Sequence, residues 1–436
     1  MKTRIRWAAM HGLPRAFLKV QARRGEPLAR ILADPRTRAN PYLLADRIRA
    51  RGRLVHTPFT WVTADHDIVR NTLRSNDFGV AGPADMDLPR PLLAAIRATD
   101  PQLPNPIEPP AMIAVDPPHH TRYRKLVARE FTPRAVRRLT DRIDEVTGEL
   151  LDALAARNSA DLIADFAAEL PAAIISEMLG VPADVRARML AAGEAGAALL
   201  DVGISWRAYR RAQEGLRDSR DFLEEHLDRL RAEPGENILS ALVTGGQLTR
   251  QELMYSAALI AGAGFETTVN LIGNGVVALH RNPEQLELLR ARPGLWADAV
   301  EEILRFDSPV QLTARKALRD MEIDGHVIAR GEMITMLVGG ANRDPEVFAN
   351  PNAFDVTRPN SRDHVSFSSG VHSCLGATLA RTEGAIALRS LHERFPELRI
   401  GGEPQRRELV NLRGYARIPV VLGSHCSGRG HLSPAP

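Results

Sequence analysis

The stretch Phe367-Ser368-Ser369-Gly370-Val371-His372-Ser373-Cys374-Leu375-Gly376 sets one cysteine in a glycine-punctuated loop directly before a helical pattern that runs from Ala377 to about Phe395. Backbone N–H groups at a helix start carry partial positive charge, so the sequence predicts a lowered thiol pKa and an accessible thiolate. Thiolate is the metal-binding form of cysteine. The only other cysteine, Cys426, lies in a polar tail, which rules out a multi-cysteine zinc or iron–sulfur site. A lone thiolate held in a loop points instead to a single axial bond to heme iron. Gly370 and Gly376 would let backbone approach a flat cofactor, and Phe367 would wall off the sulfur.

The rest of the chain fits a globular protein. Its 436 residues are enough to bury one large core or two ordinary ones. Two cysteines provide no disulfide framework, which favours a reducing, cytoplasmic setting. No run approaches the roughly 18 apolar residues of a membrane span. Residues Met1 to Arg24 are basic with scattered apolar side chains (Trp7, Leu13, Phe17, Leu18, Val20), so this extension either lies on a membrane surface or packs on the body; packing is favoured. The net charge of +4, with arginines interleaved among acidic residues and no basic–aromatic stacking pattern, excludes a nucleic-acid partner. Gly423 to Pro436, rich in Gly, Ser, His and Pro, reads as a disordered tail.

Strand-like alternation appears at 54–57 and 60–63, followed by a short helix from Asp65 to Leu73. Residues 78–112 are crowded with proline and read as a long irregular loop over a functional site. Helical patterns fill 120–200, with breaks at Thr132-Pro133, Arg157-Asn158 and Gly180-Val181-Pro182, and another covers Trp206 to Leu230. The longest helix opens on the capping box Thr249-x-x-Glu252 and continues to about Arg281. Its centre, Ala261-Gly262-Ala263-Gly264-Phe265-Glu266-Thr267-Thr268, holds two glycines, each costing a helix about 1 kcal/mol relative to alanine. They imply something bulky against the backbone. Further helices cover 283–291 and 295–306; strands follow at 311–317, 322–328 and 333–338, with a hairpin turn at Asp324-Gly325.

Glu302 and Arg305 form an E-x-x-R pair near the end of the helix that stops at Phe306; alone, such a pair is an ordinary helix-surface ion pair. In order along the chain stand Gly264-x-Glu266-Thr267-Thr268, the E-x-x-R pair and Phe367-x-x-Gly370-x-His372-x-Cys374-x-Gly376. With Asp116-Pro117-Pro118-His119-His120-Thr121-Arg122-Tyr123-Arg124, Ala341-Asn342-Arg343-Asp344-Pro345 and Phe354-Asp355-Val356-Thr357-Arg358, this pattern resembles the cytochrome P-450 superfamily. It looks most like the soluble bacterial, actinobacterial-type heme-thiolate monooxygenases, from about Leu28 to Leu422.

The resemblance implies a mainly α fold with a smaller β-rich lobe, the triangular helical prism of that family. It implies one catalytic domain over 25–422, after the basic extension 1–24 and before the tail 423–436. It implies heme b (iron protoporphyrin IX) as cofactor, with Cys374 as iron ligand and Phe367 and Gly376 shaping its loop. His120, Arg124, Arg315 and His372 resemble the residues that hold the heme propionates, and several positive donors suit two carboxylates. Glu302, Arg305 and Arg358 resemble a buried structural ion-pair set. Glu266 and Thr267 resemble the acid–alcohol pair that delivers protons during oxygen activation, Thr267 opening a notch at the Ala263 carbonyl. Ser368 stands where most members carry glycine, and Phe265 where histidine is common.

Substrate contacts are implied from 78–112, 191–206, 258–263, 310–312 and 412–415, whose aliphatic side chains suit a small apolar substrate. The chain carries no flavin or iron–sulfur module, so external ferredoxin and ferredoxin reductase are the implied electron donors and O2 the oxidant. A peroxide-driven peroxygenase and a non-catalytic heme ligand-binding protein are the alternatives; the intact Glu266-Thr267 pair ranks them lower.

Overall fold

The computed structural model describes residues 1–37, 39–82 and 90–423. The end of the predicted tail, 424–436, lies outside the described residues. The molecule is mainly helical with small sheets at its margins, as expected.

Its axis is the 32-residue helix Arg250–Arg281. The predicted capping box is formed: Thr249 Oγ1 accepts from the Glu252 N–H and a Glu252 carboxylate oxygen accepts from the Thr249 N–H. From Leu253 to Leu279 nearly every turn is buried, and the Glu169–Leu179, Trp296–Phe306 and Ala377–Arg394 helices pack directly around it. At Gly264 the bulky neighbour the sequence implied is a side chain of another helix. A Cβ there would stand 2.8 Å from Ile175 Cδ1, so this glycine lets the Glu169–Leu179 helix come close. Nothing lies within 4 Å of a Cβ at Gly262.

The predicted breaks fall in place. Thr132 caps the Pro133–Ala155 helix, and Gly180 ends Glu169–Leu179 with a left-handed φ of 66°. Strands Val55–His56, Trp61–Thr63, Met333–Met336, Thr313–Ala317 and Phe78–Val80 form, in that spatial order, a five-stranded sheet. Asp324 (φ 52°) and Gly325 (φ 75°) make the hairpin turn between Met321–Ile323 and His326–Ile328.

Of the 78–112 segment, 83–89 lie outside the described residues, and the rest holds more regular structure than its prolines imply. Phe78–Val80 pairs antiparallel with Thr313–Ala317, and Arg90–Ala98 is a helix. Pro91 sits in the first turn of that helix, where no N–H is needed. The basic extension packs on the body as one helical segment, Lys2–Trp7, a π-helical turn at Ala8–Gly12 and Leu13–Arg23. Arg6 and Leu18 are buried beneath it.

Candidate active site

The loop carrying Cys374 is shaped by its backbone. Ser368 and Gly370 both take left-handed φ values, 60° and 69°. Cys374 N–H donates to the Phe367 carbonyl at 2.8 Å, and Ser373 N–H to Gly370 O at 3.1 Å, which folds the loop back before the helix begins at Ala377. A Cβ on Gly370 would collide with the Leu73 carbonyl and come 2.9 Å from Arg74 Cα. This glycine therefore serves the close approach of the loop to the His66–Arg74 helix, where the sequence assigned it to a cofactor. Gly376 caps the Ala377–Arg394 helix, with nothing within 4 Å of a Cβ there.

Cys374 is exposed, yet the protein packed around it desolvates the thiol, and that pushes its pKa up. The Gly376 backbone, Arg124 and Arg381 pull the other way and are outweighed. The expected lowering by the helix start alone does not occur, because loss of water costs the thiolate more than one turn of dipoles returns. Metal coordination deprotonates such a thiol outright. No group of three or more His, Cys, Asp or Glu that could hold a bare metal ion occurs among the described residues.

Around this loop the structure gathers His120, Arg124, Arg315 and His372. The His120 and His372 rings stand 4.2 Å apart. Arg124 donates to the Ser373 carbonyl at 2.8 Å, next to Cys374, and Arg315 is buried on the Thr313–Ala317 strand. Burial, then His120, Arg315 and Arg124, hold His372 down to about 3, and its Nε2 is buried without a hydrogen-bond partner. The nearest carboxylate is Asp116, 3.6 Å from that nitrogen and already accepting from Val80 N–H. Burial keeps the two imidazoles neutral, so the cations here are Arg124 and Arg315, with Asp116 the carboxylate beside them, and the cluster is short of negative charge and of acceptors. Two carboxylates of one ligand would supply it, so the residues present fit a heme.

The E-x-x-R pair is no surface pair. Arg305 Nε and Nη2 meet the two Glu302 oxygens at 2.7 and 2.8 Å, with both side chains fully buried. Its remaining N–H groups donate to the carbonyls of Asn342, Pro351 and Ala353. Arg358 joins Glu302 at 3.2 Å and donates to Ala349, Asn350 and Ala353. The Asn342 side chain then bonds Val365 N–H and Ser366 Oγ, each at 2.8 Å. The ion pair thus holds the irregular 342–358 segment, which in turn holds the start of the Cys374 loop.

Glu266 and Thr267 part ways. The Thr267 hydroxyl donates to the Ala263 carbonyl at 3.1 Å on a partly exposed face, and the helix runs through this point without interruption. Glu266 is buried and ion-paired with Arg407, while its Oε1 has no partner. Burial raises its pKa against the pull of Arg407. Phe265 fills the space beside Gly193, where a Cβ would stand 2.5 Å from its ring.

Sequence reasoning missed four partners. Arg407, from the C-terminal hairpin, gave no local signal. Glu301, beside the singled-out Glu302, is buried and bonds His364 at 3.0 Å and Arg381 at 2.7 Å; these hold its carboxyl down to about 2 against burial. Arg381 lies 4.5 Å over the Phe367 ring, which fixes the wall of the cysteine loop. Asp201 accepts from the Val410 and Asn411 N–H groups at 2.8 Å each. With the Val310–Leu412 bridge, it draws together three of the five stretches implied to face substrate.

A loop-held thiol beside Arg124, Arg315 and two neutral imidazoles, in a helical body crossed by one long buried helix, suits a heme-thiolate protein. The sequence matches the family model described as Cytochrome P450 over residues 295–408. It is 44% identical over 431 residues to cytochrome P450 140 of Mycobacterium tuberculosis, covering 97% of this chain and 98% of that protein. It is 41% identical to 6-deoxyerythronolide B hydroxylase of Saccharopolyspora erythraea over 318 residues, 70% of this chain and 76% of the relative. Among solved structures it is similar to Mycobacterium smegmatis CYP164A2 in the ligand-free state, with a TM-score of 0.81, 34% identity and 91% and 99% of the two chains covered. Another is P450BioI in complex with hexadec-9Z-enoic acid ligated acyl carrier protein, with a TM-score of 0.81, 32% identity, and 89% and 100% covered. The chain belongs to the cytochrome P450 family and is a heme-dependent monooxygenase.

Proposed function

We propose that this monooxygenase uses heme b, takes its electrons from a separate ferredoxin and ferredoxin reductase in the cytoplasm, and oxidises an apolar organic substrate within one catalytic domain spanning 25–422. The observation that carries the cofactor assignment is the anion-deficient cluster of His120, Arg124, Arg315 and His372 beside Cys374. In this reading the four would hold the propionates and Cys374 would supply a thiolate ligand to the iron. Bound heme provides the iron at which O2 is activated for insertion of one oxygen atom into substrate.

The chain's own side chains do the rest. Phe367, pinned by Arg381, walls one side of the cysteine loop, and Gly376 aims its N–H toward the sulfur. Thr267 offers a hydroxyl that can leave the Ala263 carbonyl to hold a proton donor in place. Glu266, raised by burial and held by Arg407, is a proton source that recharges from solvent when that ion pair loosens. Glu302, Arg305 and Arg358 hold the fold of the loop. An apolar substrate agrees with the aliphatic stretches that Asp201 gathers, and with the 6-deoxyerythronolide B and hexadec-9Z-enoic acid in the names of two similar proteins.

The test is spectral, then catalytic. The dithionite-reduced protein with carbon monoxide should give the strongly red-shifted Soret band of thiolate ligation, and Cys374→His should lose it. Substrate oxidation should then require reduced ferredoxin, fall with rising salt, and fail with peroxide alone. Turnover on peroxide alone would make the chain a peroxygenase; a red-shifted band without turnover would leave a ligand-binding protein. For Thr267→Ala, oxygen consumption should continue while product per electron falls at least several-fold.

A further inference from the structure

We propose that the outer face of the first helical segment, residues 2–23, docks on an anionic lipid surface. The first 25 residues hold seven Lys or Arg and no Asp or Glu, while the remaining chain holds 50 basic against 53 acidic residues. The whole positive excess of the protein therefore sits on this one segment. Lys2, Arg4, Lys19, Arg23 and Arg24 are exposed, and none forms an ion pair among the described residues.

Between these charges runs an apolar stripe. Ile5, Leu13, Phe17 and Val20 are 42, 57, 43 and 44% exposed, unusual for large apolar side chains on one short element. The π-helical turn at Ala8–Gly12 brings them into line. Eight residues separate Ile5 from Leu13, a spacing that would carry Leu13 roughly 80° round a regular α-helix. An i→i+5 turn takes up about one residue more than an α turn, so one turn of each returns Leu13 to the side of Ile5.

The inner face is fixed, so the stripe cannot roll inward. Arg6 donates to the Ile96 carbonyl at 2.7 Å and pairs with Glu108 at 2.9 Å, Trp7 Nε1 donates to the Ile204 carbonyl at 3.1 Å, and Arg15 to the Gly203 carbonyl at 2.7 Å. No helix among the described residues is long and apolar enough to cross a membrane. A rigid helix with an apolar stripe and flanking cations suits lying in the headgroup region of an anionic bilayer. Charge complementarity selects that occupant: a second copy would bring two sets of cations together, and a polyanion such as DNA would leave the stripe wet.

The experiment is co-sedimentation of the full-length, heme-loaded protein with vesicles of phosphatidylcholine containing phosphatidylglycerol, against pure phosphatidylcholine. Binding to the mixed vesicles is expected to weaken at least about tenfold on pure phosphatidylcholine and in the charge-reversed Lys19→Glu/Arg23→Glu/Arg24→Glu protein. It should weaken comparably in Leu13→Ser/Phe17→Ser/Val20→Ser, with unchanged carbon monoxide spectra confirming that both variants fold. Absence of binding to the anionic vesicles would overturn the proposal. So would binding lost only in the charge variant and matched by duplex DNA, or light scattering that finds a dimer dispersed by the serine substitutions.

Discussion

Ser368 occupies a left-handed conformation that costs a side-chain-bearing residue about 1 kcal/mol or more, and its buried hydroxyl has no partner. Ser368→Gly should therefore stabilise the protein by about 0.5–1 kcal/mol, net of glycine's greater freedom in the unfolded chain, read as a higher thermal midpoint. Ser368→Ala, which removes the unpaired hydroxyl but keeps the strain, should gain less. Glu383 is fully buried against Thr268, and burial pushes its carboxyl up to about 8. Between its ordinary value of 4.5 and about 8 the folded state keeps a proton that the unfolded state releases. Stability falls as pH rises across that window, and Glu383→Gln should flatten the slope in denaturant titrations. A wild-type slope equal to that of the variant would refute the buried neutral acid.

Elements hold one another through polar groups that the core encloses. Truncation by Glu302→Ala would leave Arg305 and Arg358 buried without their carboxylate, costing about 3–5 kcal/mol. Heme retention should fall together with the thermal midpoint, because the same network reaches the Cys374 loop through Asn342. Glycines at element crossings were visible in the sequence but not their partners. Gly264 answers to Ile175, 89 residues earlier, and Gly370 to the backbone at Leu73. Helix boundaries were legible because caps are local: Thr132, Gly180 and the Thr249–Glu252 box each act within one turn. The Arg90–Ala98 helix was hidden by Pro91, which sits in its first turn, where no N–H is needed.

Across the whole molecule, Asp201 ties the 201–206 segment to the C-terminal hairpin that also carries Arg407. Asp201→Ala should remove two hydrogen bonds, costing about 1–2 kcal/mol locally, and speed amide exchange at Val410 and Asn411. KM for an apolar substrate should rise more than kcat falls; an unchanged KM with unchanged exchange would show the clamp to be incidental. What the sequence by itself determined was the class of protein, the long central helix and the residues grouped near Cys374. Those signals are local motifs, caps and periodicity, each carried by a few neighbouring residues. Tertiary structure alone decided that the Cys374 thiol is raised, that Glu266 turns to Arg407, that Glu301 shares the work of Glu302, and that the basic extension shows an apolar stripe outward. Each of those depends on desolvation or on a partner far away in the chain, and neither is written in local sequence.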